Sequence, residues 1–357
     1  LTPRLISAAD AKDLTSLLTP ILQKHSLPAL AGAIVTSKGL LAVGAVGVRK
    51  SGTDTPVTIN DHFHLGSNTK AMTATLLATL VENGRVSWEA TLEDVLPSVK
   101  LHPAYRTVTV EQLLAHRAGF TSRSWPKGKG FLAMHRLPGT PREQRRAYVA
   151  AILAEPPVAQ PGTNFLYSNR SYAIAGAIAE EVLNDSWEDV MRRRIFEPLD
   201  MQTAGFGAMG TPGNIDQPWQ HKLMWKWHWA IKPGPRAGNP QVIAPAGGAH
   251  CSIVDWAKFI QAHLRGEQNE PGILNPETLK RMHAFTGDYG FGWMTVDRPW
   301  AGGRALTHTG SNTMNCAVAW MAPVRDFGVL VMANQGGGST FHACDEAASL
   351  LIRELKL

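Results

Sequence analysis

The 357-residue chain is 44% hydrophobic and 18% charged, which suits a globular protein with one large core or two modest ones and excludes disordered and fibrous architectures. Its 35 Lys and Arg against 29 Asp and Glu leave a formal charge of +6, enough for weak attraction to polyanions or to an anionic envelope surface. No basic stripe interleaved with aromatics points to nucleic acid, and the longest apolar runs, such as 39–48 and 327–333, fall short of the roughly 18–20 residues of a membrane span.

In chain order, apolar positions at helical spacing predict a helix over 10–24, and residues 29–36 and 40–48, separated by Ser37-Lys38-Gly39, predict a hairpin. From Ser67 to about Asp200 the pattern is mainly helical, clearest over 69–83, 109–118, 141–154 and 168–183. Arg142, Arg145, Arg146 and Arg192 to Arg194 fall in segments that read as solvated helix faces. Residues 205–248 are rich in Gly, Pro and Trp without sustained periodicity and read as a functional loop region. A helix is expected over 253–264, strands over 289–296, 305–308, 316–321 and 327–333, and a last helix over 342–355.

Strands at both ends with helices between them define the expected architecture. It is an α+β fold of sandwich type, in which one antiparallel sheet is built from both termini, flanked by helices and interrupted by an inserted helical domain. The sheet domain is assigned to 1–66 and 241–357 and the helical domain, ending in a Trp-rich loop, to 67–240, with a cleft between them. The three cysteines, Cys251, Cys316 and Cys344, stand far apart in the sequence, so neither a zinc clip nor a disulfide framework is expected. The chain opens on Leu1 instead of Met, which reads as a processed or trimmed N-terminus with no signal pattern remaining.

Three short segments carry groups suited to chemistry. In the first, Ser67 and Lys70 stand three residues apart at the start of a helical pattern, so they share one helix face. The positive end of the helix dipole opposes a protonated Lys70, as does burial, and a neutral amine can take a proton from the hydroxyl. Taken alone, Ser67 reads as an N-cap and Lys70 as an ordinary surface lysine. Ser124-Trp125-Pro126-Lys127 repeats the spacing, but Pro126 denies it a helix, so its two groups have no reason to meet.

The second segment is Tyr167-Ser168-Asn169 at the start of a helix. A phenol here can relay a proton if a nearby ammonium lowers its pKa, and Asn169 can orient a carbonyl or the lysine. The ordinary alternative is a packed ring and a helix cap. The third is Thr307-His308-Thr309-Gly310-Ser311 at a strand end, where Gly310 admits close backbone approach, edge N–H groups can receive an oxyanion, and His308 offers a donor. A turn ending a strand would look the same.

Taken together and in this order, the segments resemble the Ser-x-x-Lys, Ser/Tyr-x-Asn and Lys-Thr-Gly set of the penicillin-recognising serine hydrolases. In its Tyr form the set is similar to that of class C β-lactamases, serine DD-peptidases and the family VIII esterases of the same fold. Leu113 to Gly119 and Ala244 to Gly248 look like further features of that group.

The resemblance spans nearly the whole chain. It implies Ser67 as nucleophile, Lys70 and Tyr167 as the proton-transfer pair, and Asn169, His308, Thr309, Gly310 and Ser311 around the substrate, with the Ser67 and Ser311 N–H groups as oxyanion hole. It further implies two-step acyl transfer on a small ester, amide or peptide, with no metal or organic cofactor, by a monomer in the periplasm or secreted, a cytoplasmic location being left open. A non-hydrolytic penicillin-binding or scaffold protein of the same fold is the alternative.

His308 stands where β-lactamases usually carry Lys, which removes a permanent cation for a substrate carboxylate and favours the peptidase and esterase readings. Glu180 to Asn184 matches the Glu-x-x-Leu-Asn deacylation motif of class A enzymes but lies too far along its helix to serve. His62 and His64 lack the further ligands a zinc site needs. Trp219 to Trp229 holds four of the 11 tryptophans and either walls the cleft or cements the loop to the core.

Overall fold

The computed structural model describes residues 10–224, 227–285 and 289–355. Helix α1 (Thr15–Lys24) precedes a hairpin of β1 (Ala29–Thr36) and β2 (Gly39–Gly47). Helices α2 (Thr69–Glu82), α3 (Pro141–Leu153) and α4 (Asn169–Leu183) follow, then a second hairpin of β3 (Gln220–Met224) and β4 (Trp227–Ile231). Helices α5 (Ile253–Glu267) and α6 (Pro276–His283) lead to β5 (Trp293–Arg298), β6 (Gly303–Gly310), β7 (Cys316–Ala322) and β8 (Phe327–Ala333), and α7 (Gly338–Glu354) closes the fold.

The main sheet runs Lys12–Asp13, β2, β1, β8, β7, β6, β5, Tyr289–Gly290, antiparallel except where Lys12–Asp13 lies parallel to β2. Both ends of the chain meet at its centre, where Ala33 of β1 faces Leu330 of β8 and Ala31 faces Met332. Side chains alternate along these strands, yet both faces are covered. Ala29, Ala31, Ala33 and Val35 join the core shared with α2, α4 and α5, while Leu30 and Ile34 join that of α1 and α7. Burial on both sides is why the strands read as unbroken apolar runs instead of alternating ones.

Helix α2 has no solvated face: every residue from Thr69 to Leu80 is buried. Its threonines bond carbonyls instead of water, Thr73 donating to Pro245 O at 2.7 Å and Thr69 to Gly66 O at 2.7 Å. Lys70, the second residue of this helix, is therefore carried into the interior.

Several expectations from the sequence need correction. The segment 109–118 is helical only over Val110–Leu114, and 289–296 is two paired strands, Tyr289–Gly290 and β5. Within the stretch read as irregular, 220–224 and 227–231 pair as a hairpin; Trp225 and Lys226 of the Trp-rich segment lie outside the described residues. Arg145 is fully buried, not on a solvated face, and binds the carboxylates of Glu180 and Glu188 and the carbonyl of Gln241. Glu180 is thereby held in a structural ion pair and also accepts from Trp187 N. Cys316 and Cys344 meet in the core between β7 and α7, as free thiols.

Candidate active site

Ser67 lies in a 3-10 turn, Gly66–Asn68, that feeds α2. It is not a cap, since Asn68 holds the N-cap position. The Asn68 amide donates to Leu65 O at 3.1 Å and to Ala317 O at 3.0 Å, pinning the turn to β7. The turn needs Gly66 in the left-handed region, at φ +52°, because a Cβ there would lie 2.2 Å from Ser311 N. A Cβ on Gly310 would lie 2.0 Å from Leu65 O and 2.7 Å from Ser67 N. Two glycines thus let the end of β6 lie backbone to backbone against the Ser67 turn, which brings the Ser67 and Ser311 peptides close together.

Lys70 is fully buried, not a surface lysine, and desolvation holds its pKa well below the ordinary 10.5. Its Nζ lies 2.8 Å from Asn169 Oδ1, 2.7 Å from Ala246 O and 3.1 Å from Ser67 Oγ. The first two oxygens can only accept. A neutral amine spends its two N–H bonds on them, and its lone pair is then left for the Ser67 hydroxyl. The carbonyl comes from the 244–248 segment, whose place in the sequence pattern carried no mechanism, because a backbone acceptor leaves no residue signature.

Asn169 is the first residue of α4 and not its cap; Ser168 caps the helix by accepting from Arg170 N at 3.3 Å. The other end of the Asn169 carboxamide donates to Ser124 Oγ at 3.1 Å. Ser124, set aside in the sequence for lack of a helical partner, is therefore part of the site through a different neighbour. The Lys127 backbone N–H donates to Glu155.

The Tyr167 hydroxyl lies near that of Ser67, and its ring lies 4.8 Å from Lys70 Nζ. Burial pushes its pKa up to about 12, the reverse of the lowering foreseen from a nearby ammonium, so the phenol rests protonated. Its ring is held by His116, 4.5 Å away between centroids, whose Nδ1 accepts from Ser168 N at 3.2 Å. Tyr289 packs edge-on to Tyr167 at 5.9 Å. His116 and Tyr289 are site-supporting residues that the sequence did not single out for a role. His116 did stand inside the noted 113–119 segment.

His308 is nearly completely buried. Its Nδ1 donates to Thr309 O at 2.9 Å, which leaves Nε2 to accept from the Tyr289 hydroxyl at 3.0 Å. Desolvation first, then the nearby Lys70, lowers its pKa to about 3. The imidazole is neutral and fully engaged, so it supplies no cation for a carboxylate. Thr309 is exposed, and the Ser311 hydroxyl donates to Asn315 O at 2.6 Å, shaping the turn after the strand. The other two segments thus converge on Ser67, with Gly310 and the Ser311 peptide nitrogen against its turn and the His308 ring 6.2 Å from that of Tyr167.

A sheet from both termini, helices on both of its faces and a Ser–Lys–Tyr cluster at the head of a buried helix are the features of a β-lactamase/DD-peptidase-type hydrolase fold. Residues 14–353 match the sequence profile of the Beta-lactamase family, and the chain belongs to that family of hydrolases. It is 32% identical over 181 residues to Penicillin-binding protein 4 of Amycolatopsis lactamdurans, covering 50% of this chain and 44% of that protein. It is 24% identical over 363 residues to Unguisins hydrolase ungD of Aspergillus violaceofuscus, covering 90% of this chain and 60% of that one. The chain thus spans less than two thirds of the length of either curated relative. The structure of Beta-Lactamase/D-Alanine Carboxypeptidase from Pseudomonas syringae superposes with a TM-score of 0.75 at 21% identity, over 96% of this chain and 98% of that one, a likeness of fold.

Proposed function

We propose that the protein is a serine hydrolase that transfers the acyl group of a small ester, amide or peptide to Ser67 and then to water. The observation that carries this reading is the buried Lys70 amine 3.1 Å from Ser67 Oγ, with its other two directions taken by Asn169 Oδ1 and Ala246 O. Ser67 gives its proton to Lys70 as its oxygen bonds to the substrate carbonyl. The negative charge that forms on the carbonyl oxygen is met by the N–H groups of Ser67 and Ser311. The phenol of Tyr167, protonated at rest, hands its proton to the leaving group and recovers one from Lys70. Water then attacks the acyl-Ser67 ester and restores the hydroxyl.

The neutral His308 favours substrates that need no cationic anchor, so neutral esters and amides are preferred over carboxylated β-lactams. The ratio of KM values for a carboxylated and a neutral ester is expected to stay flat between about pH 5 and 9, since the imidazole, with its pKa near 3, carries no charge to lose there. A ratio that rises through neutral pH would return the cationic role to His308. Gly310→Ala forces its methyl into Leu65 O and the Ser67 amide, and a displacement near 1 Å is expected to cost roughly 100-fold in kcat/KM. A variant of wild-type rate would contradict the proposed use of this backbone contact.

The reading itself is tested by incubating the protein with p-nitrophenyl acetate, a D-alanine p-nitroanilide and a chromogenic cephalosporin. Ester or amide turnover is expected. A lasting adduct without turnover would overturn hydrolysis in favour of a penicillin-binding role.

A further inference from the structure

The most exposed large apolar side chain among the described residues is Trp227, at 78%, and Trp229 and Met224 of the same hairpin are 62% and 53% exposed. Exposed apolar surface of this kind marks a place of contact. The hairpin that carries it is firmly anchored. His221 accepts from Ser51 N at 3.0 Å and bonds Asn334 O at 2.9 Å, and His228 bonds Gln335.

Pairing decides where the aromatic face looks. Gln220 stands opposite Ile231, Lys222 opposite Trp229 and Met224 opposite Trp227, so all six lie on one face of the hairpin, and His221 and His228 lie on the other. The side chain of Gln220 shows which way that face points: its Oε1 accepts from Asn312 and Asn315 in the turn that directly follows Ser311. At about 3.4 Å per residue, the Trp229 and Trp227 pairs lie ~7 Å and ~14 Å along the face from Gln220. The tryptophans therefore stand on a face whose buried Gln220 end is bonded to the turn that follows Ser311.

We propose, resting on the acyl-transfer reading above, that this face binds the substrate's acyl portion, and that the preferred substrate carries a long aliphatic or aromatic acyl group. With the leaving group directed at Tyr167 and the carbonyl oxygen at Ser311, the acyl portion passes the 311–315 turn and reaches the hairpin. Recognition by apolar contact also fits a site whose His308 offers no charge.

The test compares p-nitrophenyl acetate, octanoate and decanoate on the wild type and on the Trp227→Ser/Trp229→Ser double variant, with circular dichroism confirming the fold. The decanoate-to-acetate ratio of kcat/KM is expected to be high in the wild type and to fall about tenfold or more in the variant. An unchanged ratio would overturn the proposal while acetate turnover leaves the Ser67 reading intact. A second arm needs no turnover: calorimetric binding of N-octanoylglycinamide to Ser67→Ala is expected, and is expected to weaken at least tenfold when both tryptophans are also replaced. Equal binding in both backgrounds would also overturn it. So would vesicle binding by the wild type, lost in the double variant while the chain-length ratio holds, which would assign the face to a lipid surface.

Discussion

Ser67→Ala is expected to abolish turnover of every substrate the protein accepts, a loss on the order of 10⁴-fold or more, with the fold retained. Among the described residues no other hydroxyl combines partial exposure with a lysine amine at 3.1 Å, so none of them can take over the attack. The informative comparison is Ser124→Ala. Ser124 accepts a hydrogen bond from Asn169, which in turn holds Lys70, so its loss loosens the lysine without removing a reacting group. A single hydrogen bond of about 1 kcal/mol predicts a roughly fivefold fall in kcat/KM. Equal damage from the two substitutions, measured on one p-nitrophenyl ester, would contradict the assignment of Ser67.

Lys70→Met keeps the buried volume, removes the base and is expected to lower kcat/KM by roughly 10³-fold. Lys70→Arg is expected to be as inactive, because a guanidinium stays protonated and has no lone pair to offer. The sign of the wild-type pH profile follows from the same group. Desolvation lowers the Lys70 pKa, so the amine is neutral over a wider range than an ordinary lysine. Activity is then expected to fall on acidification, as Lys70 takes up a proton, and to be level above an inflection well below 10.5. An inflection at the ordinary lysine value, or a profile unchanged in Lys70→Met, would remove the lysine from the proton path.

Local pattern made most of this fold legible. The apolar runs at 29–36 and 327–333 read as strands because they are buried on both faces, and their order along the chain led to one sheet from both termini. The Ser67–Lys70 relation was legible for a similar reason: three residues on a helix is a local distance. What escaped depended on tertiary contact. The hairpin at 220–231 has short strands stabilised by partners such as Gln335 and Asn312, which lie about a hundred residues away, and its own sequence lacks alternation. His116 and Tyr289 act through ring packing around Tyr167, and Ser124 through an amide, none of which a spacing rule encodes. Arg145 was misread because a buried arginine on an amphipathic helix looks like a surface one until its two carboxylate partners are in place. The direction of the Tyr167 shift was likewise set by enclosure rather than by the nearby amine.

The most direct measurement is intact-protein mass spectrometry of the wild type quenched during turnover of a p-nitrophenyl ester, followed by mapping of the modified peptide. One acyl group per chain, on the peptide containing Ser67 and absent from Ser67→Ala, is the predicted result. Turnover with no trapped acyl group, or an acyl group on another residue that persists in Ser67→Ala, would contradict the account.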